Sequence, residues 1–178
     1  VYTDAQTPIV WIDPQYKRDN SPRWSPDGKK LAFIRTNGLG GKPDSILVRK
    51  HIPWSIMTAD VSTGEAKTLW TAPKRLNGSV PNTHGGPNLH WAANRIVFLS
   101  YQDGWPHLYS LTEQGGAPLL LTPGNFMCEH IQLSADGKSL VFAANAGTDA
   151  LDIDRRHVVK VSVDRADMQI MTPGTGLE

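Results

Sequence analysis

The stretch Pro22-Arg23-Trp24-Ser25-Pro26-Asp27-Gly28-Lys29-Lys30-Leu31-Ala32-Phe33 decides the fold, because it returns as Ile131-Gln132-Leu133-Ser134-Ala135-Asp136-Gly137-Lys138-Ser139-Leu140-Val141-Phe142. Between them lies a degraded copy, Asn88-Leu89-His90-Trp91-Ala92-Ala93-Asn94-Arg95-Ile96-Val97-Phe98. Each copy reads as a β-hairpin: an apolar strand, a tight turn with Asp-Gly or Asn at the residues that tolerate positive φ, and an apolar-rich second strand. Aligning the turns puts Gly28, Asn94 and Gly137 in register, and the second interval is then about 40–45 residues, the period of a four-stranded propeller blade. On this alignment Leu31, Phe33, Ile96, Phe98, Leu140 and Phe142 are alternate residues on one face of the second strand and are expected to be buried.

The remainder of each period supplies a third strand, a turn and a fourth strand. These are Ser55–Asp60 and Ala66–Trp70 around Ser62-Thr63-Gly64, then His107–Leu111 and Ala117–Thr122 around Gln114-Gly115-Gly116, then His157–Val163 and Met168–Thr172. The expected fold is all-β, a partial β-propeller of about three four-stranded antiparallel blades at 17–80, 81–125 and 126–178. Residues 1–16 read as a strand or linker from a preceding blade. The first interval is longer because Thr36 to Pro53 is an insertion with Gly38, Gly40, Gly41, Pro43 and Pro53, the composition of a surface loop. The run Thr172-Pro173-Gly174-Thr175-Gly176-Leu177-Glu178 parallels Thr122-Pro123-Gly124 before Cys128-Glu129, so a fourth blade is expected to begin there.

Composition narrows the function classes. Eighteen basic residues against seventeen acidic ones leave a formal charge of +1, which offers no electrostatic case for nucleic acid or an anionic membrane. No stretch approaches the roughly 18 apolar residues of a membrane helix. Cys128 is the single cysteine, so no intramolecular disulfide forms and the thiol does not decide the compartment. Six tryptophans suit the wedges between adjacent blades.

Three segments, taken in order, resemble the propeller of the prolyl oligopeptidase and dipeptidyl peptidase IV serine peptidases of bacteria, and more loosely the TolB-type propellers. They are Arg18-Asp19-Asn20-Ser21-Pro22-Arg23-Trp24-Ser25-Pro26-Asp27-Gly28 with Phe33-Ile34-Arg35, Asp103-Gly104-Trp105-Pro106-His107-Leu108-Tyr109, and Asp152-Ile153-Asp154-Arg155-Arg156-His157. The resemblance covers the chain from about Tyr16 onward. It implies a propeller that caps a separate C-terminal α/β-hydrolase domain, with a gating and peptide-anchoring role, in the bacterial cytoplasm or periplasm. The rival reading is a TolB-like module that binds protein or glycan.

A serine hydrolase carries its nucleophile on a G-x-S-x-G elbow, and none occurs in this chain, so no catalytic residue is assigned within it. The turn Thr83-His84-Gly85-Gly86-Pro87 looks like the oxyanion-hole motif of such catalytic domains, but it follows loop sequence, Asn77 to Asn82, where the motif needs an apolar strand. Asp152, Asp154 and His157, or Asp103 with His107, lack the spacing of a calcium or zinc site, and no metal or cofactor is expected. Asp152 and Asp154 are instead expected to pair with Arg155, Arg156 or backbone amides.

Four residues are candidates for contact with substrate: Glu129, Trp105, Arg155 and Arg156. Glu129 stands at the start of an inner strand, where a carboxylate can hold a peptide's amino terminus or pair with an exposed residue of an adjacent blade. The family's dipeptidyl members use two glutamates on an inserted segment; no Glu-Glu pair exists here, so dipeptidyl specificity does not carry over. Trp105 either covers a neighbouring blade or presents an aromatic face to substrate. Three blades leave two open apolar ends, so self-association as a two-fold dimer of arcs is expected, with the edge Ile9-Val10-Trp11 as a second route.

Overall fold

The computed structural model describes residues 17–38, 49–147, 149, 154–172 and 174. Residues 1–16, with the Ile9-Val10-Trp11 edge, lie outside the described residues, as do Gly40, Gly41 and Pro43 of the insertion, Asp152, Ile153, Pro173 and residues 175–178.

Among the described residues three antiparallel sheets of four strands follow one another along the chain, each with its strands in sequence order. The first holds β1 (Lys17–Trp24), β2 (Lys30–Asn37), β3 (Trp54–Asp60) and β4 (Ala66–Thr71). The second holds β5 (His90–Ala92), β6 (Arg95–Ser100), β7 (His107–Thr112) and β8 (Gly115–Leu120). The third holds β9 (Cys128–Leu133), β10 (Ser139–Ala144), β11 (His157–Ser162) and β12 (Gln169–Ile170). This is the all-β blade architecture the repeats imply.

The β1–β2 and β9–β10 turns are built from the same bonds. Ser25 Oγ donates to Asp27 Oδ1 at 2.6 Å and accepts from the Lys30 N–H at 2.9 Å, while Asp27 Oδ1 also accepts from the Lys29 N–H. Ser134, Asp136, Lys138 and Ser139 repeat this set at 2.6, 3.0 and 3.0 Å. Gly28 and Gly137 take φ of 69° and 68°, a left-handed conformation that costs a residue without Cβ little.

The middle turn corrects the alignment. Ala92 pairs with Arg95, so only Ala93 and Asn94 form the turn, and the positive φ of 53° falls on Ala93. A two-residue hairpin with positive φ at its first residue has the pattern of a type II′ turn. Asn94 was the expected site because asparagine tolerates that region better than alanine, but the turn is two residues shorter than its neighbours. In the second blade Gly115 and Gly116 likewise belong to β8 and not to the turn before it.

Alternation along the strands explains how the sheets stack. In β6 Ile96 and Phe98 join Ile34, Trp54 and Ile56 of the first sheet, whereas Val97 and Leu99 join Leu140, Phe142, Val159 and Val161 of the third. The middle sheet is therefore buried on both faces, and each such Leu, Ile or Phe contributes roughly 1.5–3 kcal/mol. The end sheets differ. Val141 and Val158, on the face of the third sheet turned away from the second, are 36% and 41% exposed. Five of the six residues expected in the core are buried, and Leu31 is half-buried. Trp54 and Trp91 fill the wedge between the first two sheets, but Trp24 lies exposed.

A further repeat is hidden in the innermost strands. Ser21, Asn88 and His130 take φ of 55°, 46° and 53°. Ser21 and His130 sit inside matching register shifts, between Asn20 and Arg23 and between Glu129 and Gln132. The Leu99 N–H bonds to the Pro87 carbonyl at 2.6 Å and so carries the middle pairing past Asn88 in the same way. The shifts at Ser21 and His130 are β-bulges, a device that re-aims side chains, and Asn88 holds the same φ two residues before β5.

Candidate functional site

Antiparallel order fixes which loops share an end of the blades. The first-to-second and third-to-fourth turns lie at one end; the second-to-third connections and the crossings between blades lie at the other. Trp105 lies two residues before β7, Glu129 is the second residue of β9, and Arg155 and Arg156 immediately precede β11. All four candidates therefore occupy the same loop end.

Two of them meet. Arg156 Nε donates to Glu129 Oε2 at 2.5 Å, and its other nitrogens donate to the Asp154 carbonyl at 3.3 Å and approach Met127 Sδ at 3.9 Å. The expected partner of Glu129 was a residue of an adjacent blade; the observed one comes from the β10–β11 connection of its own blade. Arg156 meets the carbonyl of Asp154 rather than its carboxylate. The pair is partly open, with side chains 26% and 35% exposed. Arg155 is half-buried beside it in sequence.

Trp105 is 38% exposed, so its ring is not wholly covered by a neighbouring blade. Its loop is held from both sides. The Gln102 carbonyl accepts from Arg75 at 2.6 Å and from Asn77 at 3.1 Å, and the Pro106 carbonyl accepts from the Cys128 N–H at 2.9 Å. That last bond places Trp105 and Glu129 one residue to either side of a shared link between the second and third blades. Within the loop, Asp103 Oδ1 accepts from the Trp105 N–H at 3.4 Å, and Asp103 Oδ2 lies 2.6 Å from Nδ1 of buried His107. The Asp103–His107 pair is thus a loop clamp. Cys128 is buried and its Sγ reaches Thr122 Oγ1 at 3.5 Å; burial pushes its thiol up to about 12, which leaves no thiolate for nucleophilic work at neutral pH.

The Thr83–Pro87 turn does not form an oxyanion cradle. The Gly86 N–H bonds to the Thr83 carbonyl and the Asn88 N–H to the Gly85 carbonyl, while Asn88 Nδ2 ties the His84 and Gly86 carbonyls together at 3.0 Å each. This turn does bring the exposed His84 ring to 5.0 Å, centre to centre, from the exposed His130 ring of β9, at an interplanar angle of 45°. Sequence reading missed that pair, since nothing local links residues on two blades. Burial and the nearby Arg23 guanidinium hold His90 below the usual histidine range. Among the described residues no group of three or more His, Cys, Asp or Glu side chains is arranged to hold a metal ion, and no helix is long and apolar enough to cross a membrane.

At the opposite end a cleft of about 540 Å³ lies between the first two blades, lined by Lys30, Thr58, Glu65, Lys67, Trp91 and Glu113. Glu113 accepts from Trp91 Nε1 at 3.2 Å and faces Lys30 Nζ at 3.7 Å.

Successive four-stranded blades, stacked face to face with loops gathered at one end, define the chain as propeller sequence. It belongs to the family described as the dipeptidyl peptidase IV (DPP IV) N-terminal region, which it matches over residues 46–177. No curated protein sequence matches the chain. Among solved structures it is similar to an oligogalacturonate lyase in complex with manganese, with TM-score 0.65 and 14% identity over 92% of this chain and 44% of that one. It is also similar to a putative dipeptidyl aminopeptidase IV from Bacteroides ovatus, with TM-score 0.58 and 19% identity over 94% of this chain and 23% of that one. A puromycin hydrolase matches with TM-score 0.53 and 13% identity over 86% and 22%. The chain spans less than half the length of each of these proteins, and at such identities the likeness is one of fold.

Proposed function

We propose that this chain is the non-catalytic propeller of a larger serine peptidase of the prolyl oligopeptidase type, and that its loop end gates and anchors peptide for a separate C-terminal α/β-hydrolase domain. Family membership supports the reading, and the observation that carries it is the gathering of Trp105, Glu129, Arg155 and Arg156 at one end of the blades. In this role Trp105 offers an aromatic face to a peptide side chain. The Glu129–Arg156 pair offers an acceptor and a donor to an extended backbone, and Arg155 adds positive charge to the rim.

Chemical-shift mapping with a short proline-containing peptide tests the anchoring role. Perturbation centred on residues 105, 129, 155 and 156, with the turns at Gly28 and Gly137 silent, is the expected result; no perturbation, or a uniform one, defeats it. A fluorophosphonate probe tests the catalytic assignment, and stoichiometric labelling of any serine in this chain overturns it. A second reading, a TolB-like interaction module, draws on the similarity to a putative TolB from Agrobacterium tumefaciens, with TM-score 0.53 and 18% identity over 86% of this chain and 48% of that one. Fluorophosphonate labelling of the full-length parent separates the two, since an interaction module has no reactive serine.

A further inference from the structure

We propose that His84 and His130 form a two-imidazole site for a borderline divalent transition ion of the zinc type, at the loop end of the junction between the second and third blades. The first argument is distance. With a metal–nitrogen bond of about 2.0–2.1 Å, each ring centre stands about 3.2 Å from the ion, so two rings at a near-tetrahedral angle have centres about 5 Å apart. The observed separation is 5.0 Å. Both residues are exposed, so both rings are open to an ion arriving from solvent.

The second argument is preorganisation. His130 is the left-handed residue of the β9 bulge, at φ 53°, so its Cα–Cβ bond is set by strand backbone rather than by a flexible loop. His84 is carried by a turn whose carbonyls are tied by Asn88 Nδ2, and the Thr83 N–H of that turn donates to Tyr101 Oη at 3.2 Å. Both rings are thus carried on bonded backbone, which lowers the ordering entropy that opposes binding.

Imidazole nitrogen selects zinc, copper and nickel over magnesium and calcium, which want oxygen ligands. With two protein ligands the ion keeps open positions for water or for a carboxylate on an incoming molecule. The site is independent of the peptidase reading: it stands or falls on metal binding alone.

Calorimetric titration of the chain with Zn²⁺ tests it, with His84→Ala and His130→Ala compared under circular dichroism to confirm folding. One equivalent should bind. Either variant should weaken binding by about tenfold or more, in line with the loss of a metal-site group. Long-range ¹H–¹⁵N correlation should show imidazole nitrogens of both residues shifting, and excess Mg²⁺ or Ca²⁺ should not compete. Absence of binding, binding retained in both folded variants, or competition by Mg²⁺ would each overturn the site.

Discussion

Arg156 Nε donates to the Glu129 carboxylate at 2.5 Å, joining the connection before β11 to the second residue of β9 within one blade. The pair is partly exposed, so its worth to stability is expected to be at most about 1 kcal/mol. Glu129→Gln should leave the melting transition nearly unchanged while weakening peptide capture at the loop end. Thermal denaturation beside peptide titration checks this; a large loss of stability would make the pair a structural strut only.

Phe98 is fully buried, packed edge-on to Trp54 at 5.9 Å and stacked on Tyr109 at 5.8 Å. Phe98→Ala should cost about 3–5 kcal/mol by removing contacts and leaving a cavity. Val158→Ala, on the open face of the third blade, should stay within about 0.5 kcal/mol. Urea melts of the two variants make the comparison, and equal effects would mean that the alternation argument for the faces is wrong.

Ala93 holds a left-handed conformation that costs a residue with a Cβ about 1–2 kcal/mol, partly offset in an Ala93→Gly variant by about 0.5–1 kcal/mol of extra backbone entropy lost on folding. The substitution should therefore be neutral to mildly stabilising, whereas Gly137→Ala should be destabilising, because the added Cβ meets the Ala93 nitrogen at 3.3 Å as well as an unfavourable φ. A loss for Gly137→Ala with no loss for Ala93→Gly in chemical denaturation is the outcome to look for.

Hydrogen bonds from Ser25 and the Lys29 amide hold the Asp27 carboxyl below the usual carboxylate range, and those from Ser134 and the Lys138 amide do the same for Asp136. A depressed folded-state value means that the stabilisation is present above the unfolded value, about 3.9, and disappears as pH falls through the folded one. The turns should thus loosen only below about pH 4. Carboxyl ¹³C titration reads both groups, and midpoints at or above the unfolded value would contradict the turn geometry.

We also propose self-association through the open face of the third blade, where Val141, Val158 and Met171 are exposed. Sedimentation at micromolar concentration should show a dimer, and Val158→Lys should shift it toward monomer. A monomer at all concentrations would remove the proposal.

Much of the architecture was legible in local sequence. Ser-Pro-Asp-Gly and Ser-Ala-Asp-Gly specify their turns by bonds that span at most five residues, so each copy carries the same instruction wherever it occurs in the chain. Short apolar runs along Arg95–Ser100 and Ser139–Ala144, bounded by turn residues, set the strands by the same local logic. Three things were not legible. Left-handed Ala93 follows from pairing of Ala92 with Arg95, a matter of register that no propensity records. The left-handed residues Ser21, Asn88 and His130 share no residue type, so no sequence pattern marks them. And the meetings of Glu129 with Arg156 and His84 with His130 depend on chain segments far apart in sequence, brought together only when sheets form and stack. Periodic residues determined the blades by themselves; which side chains face one another at their ends was decided by tertiary packing, because distance in space between loops is set by the core beneath them.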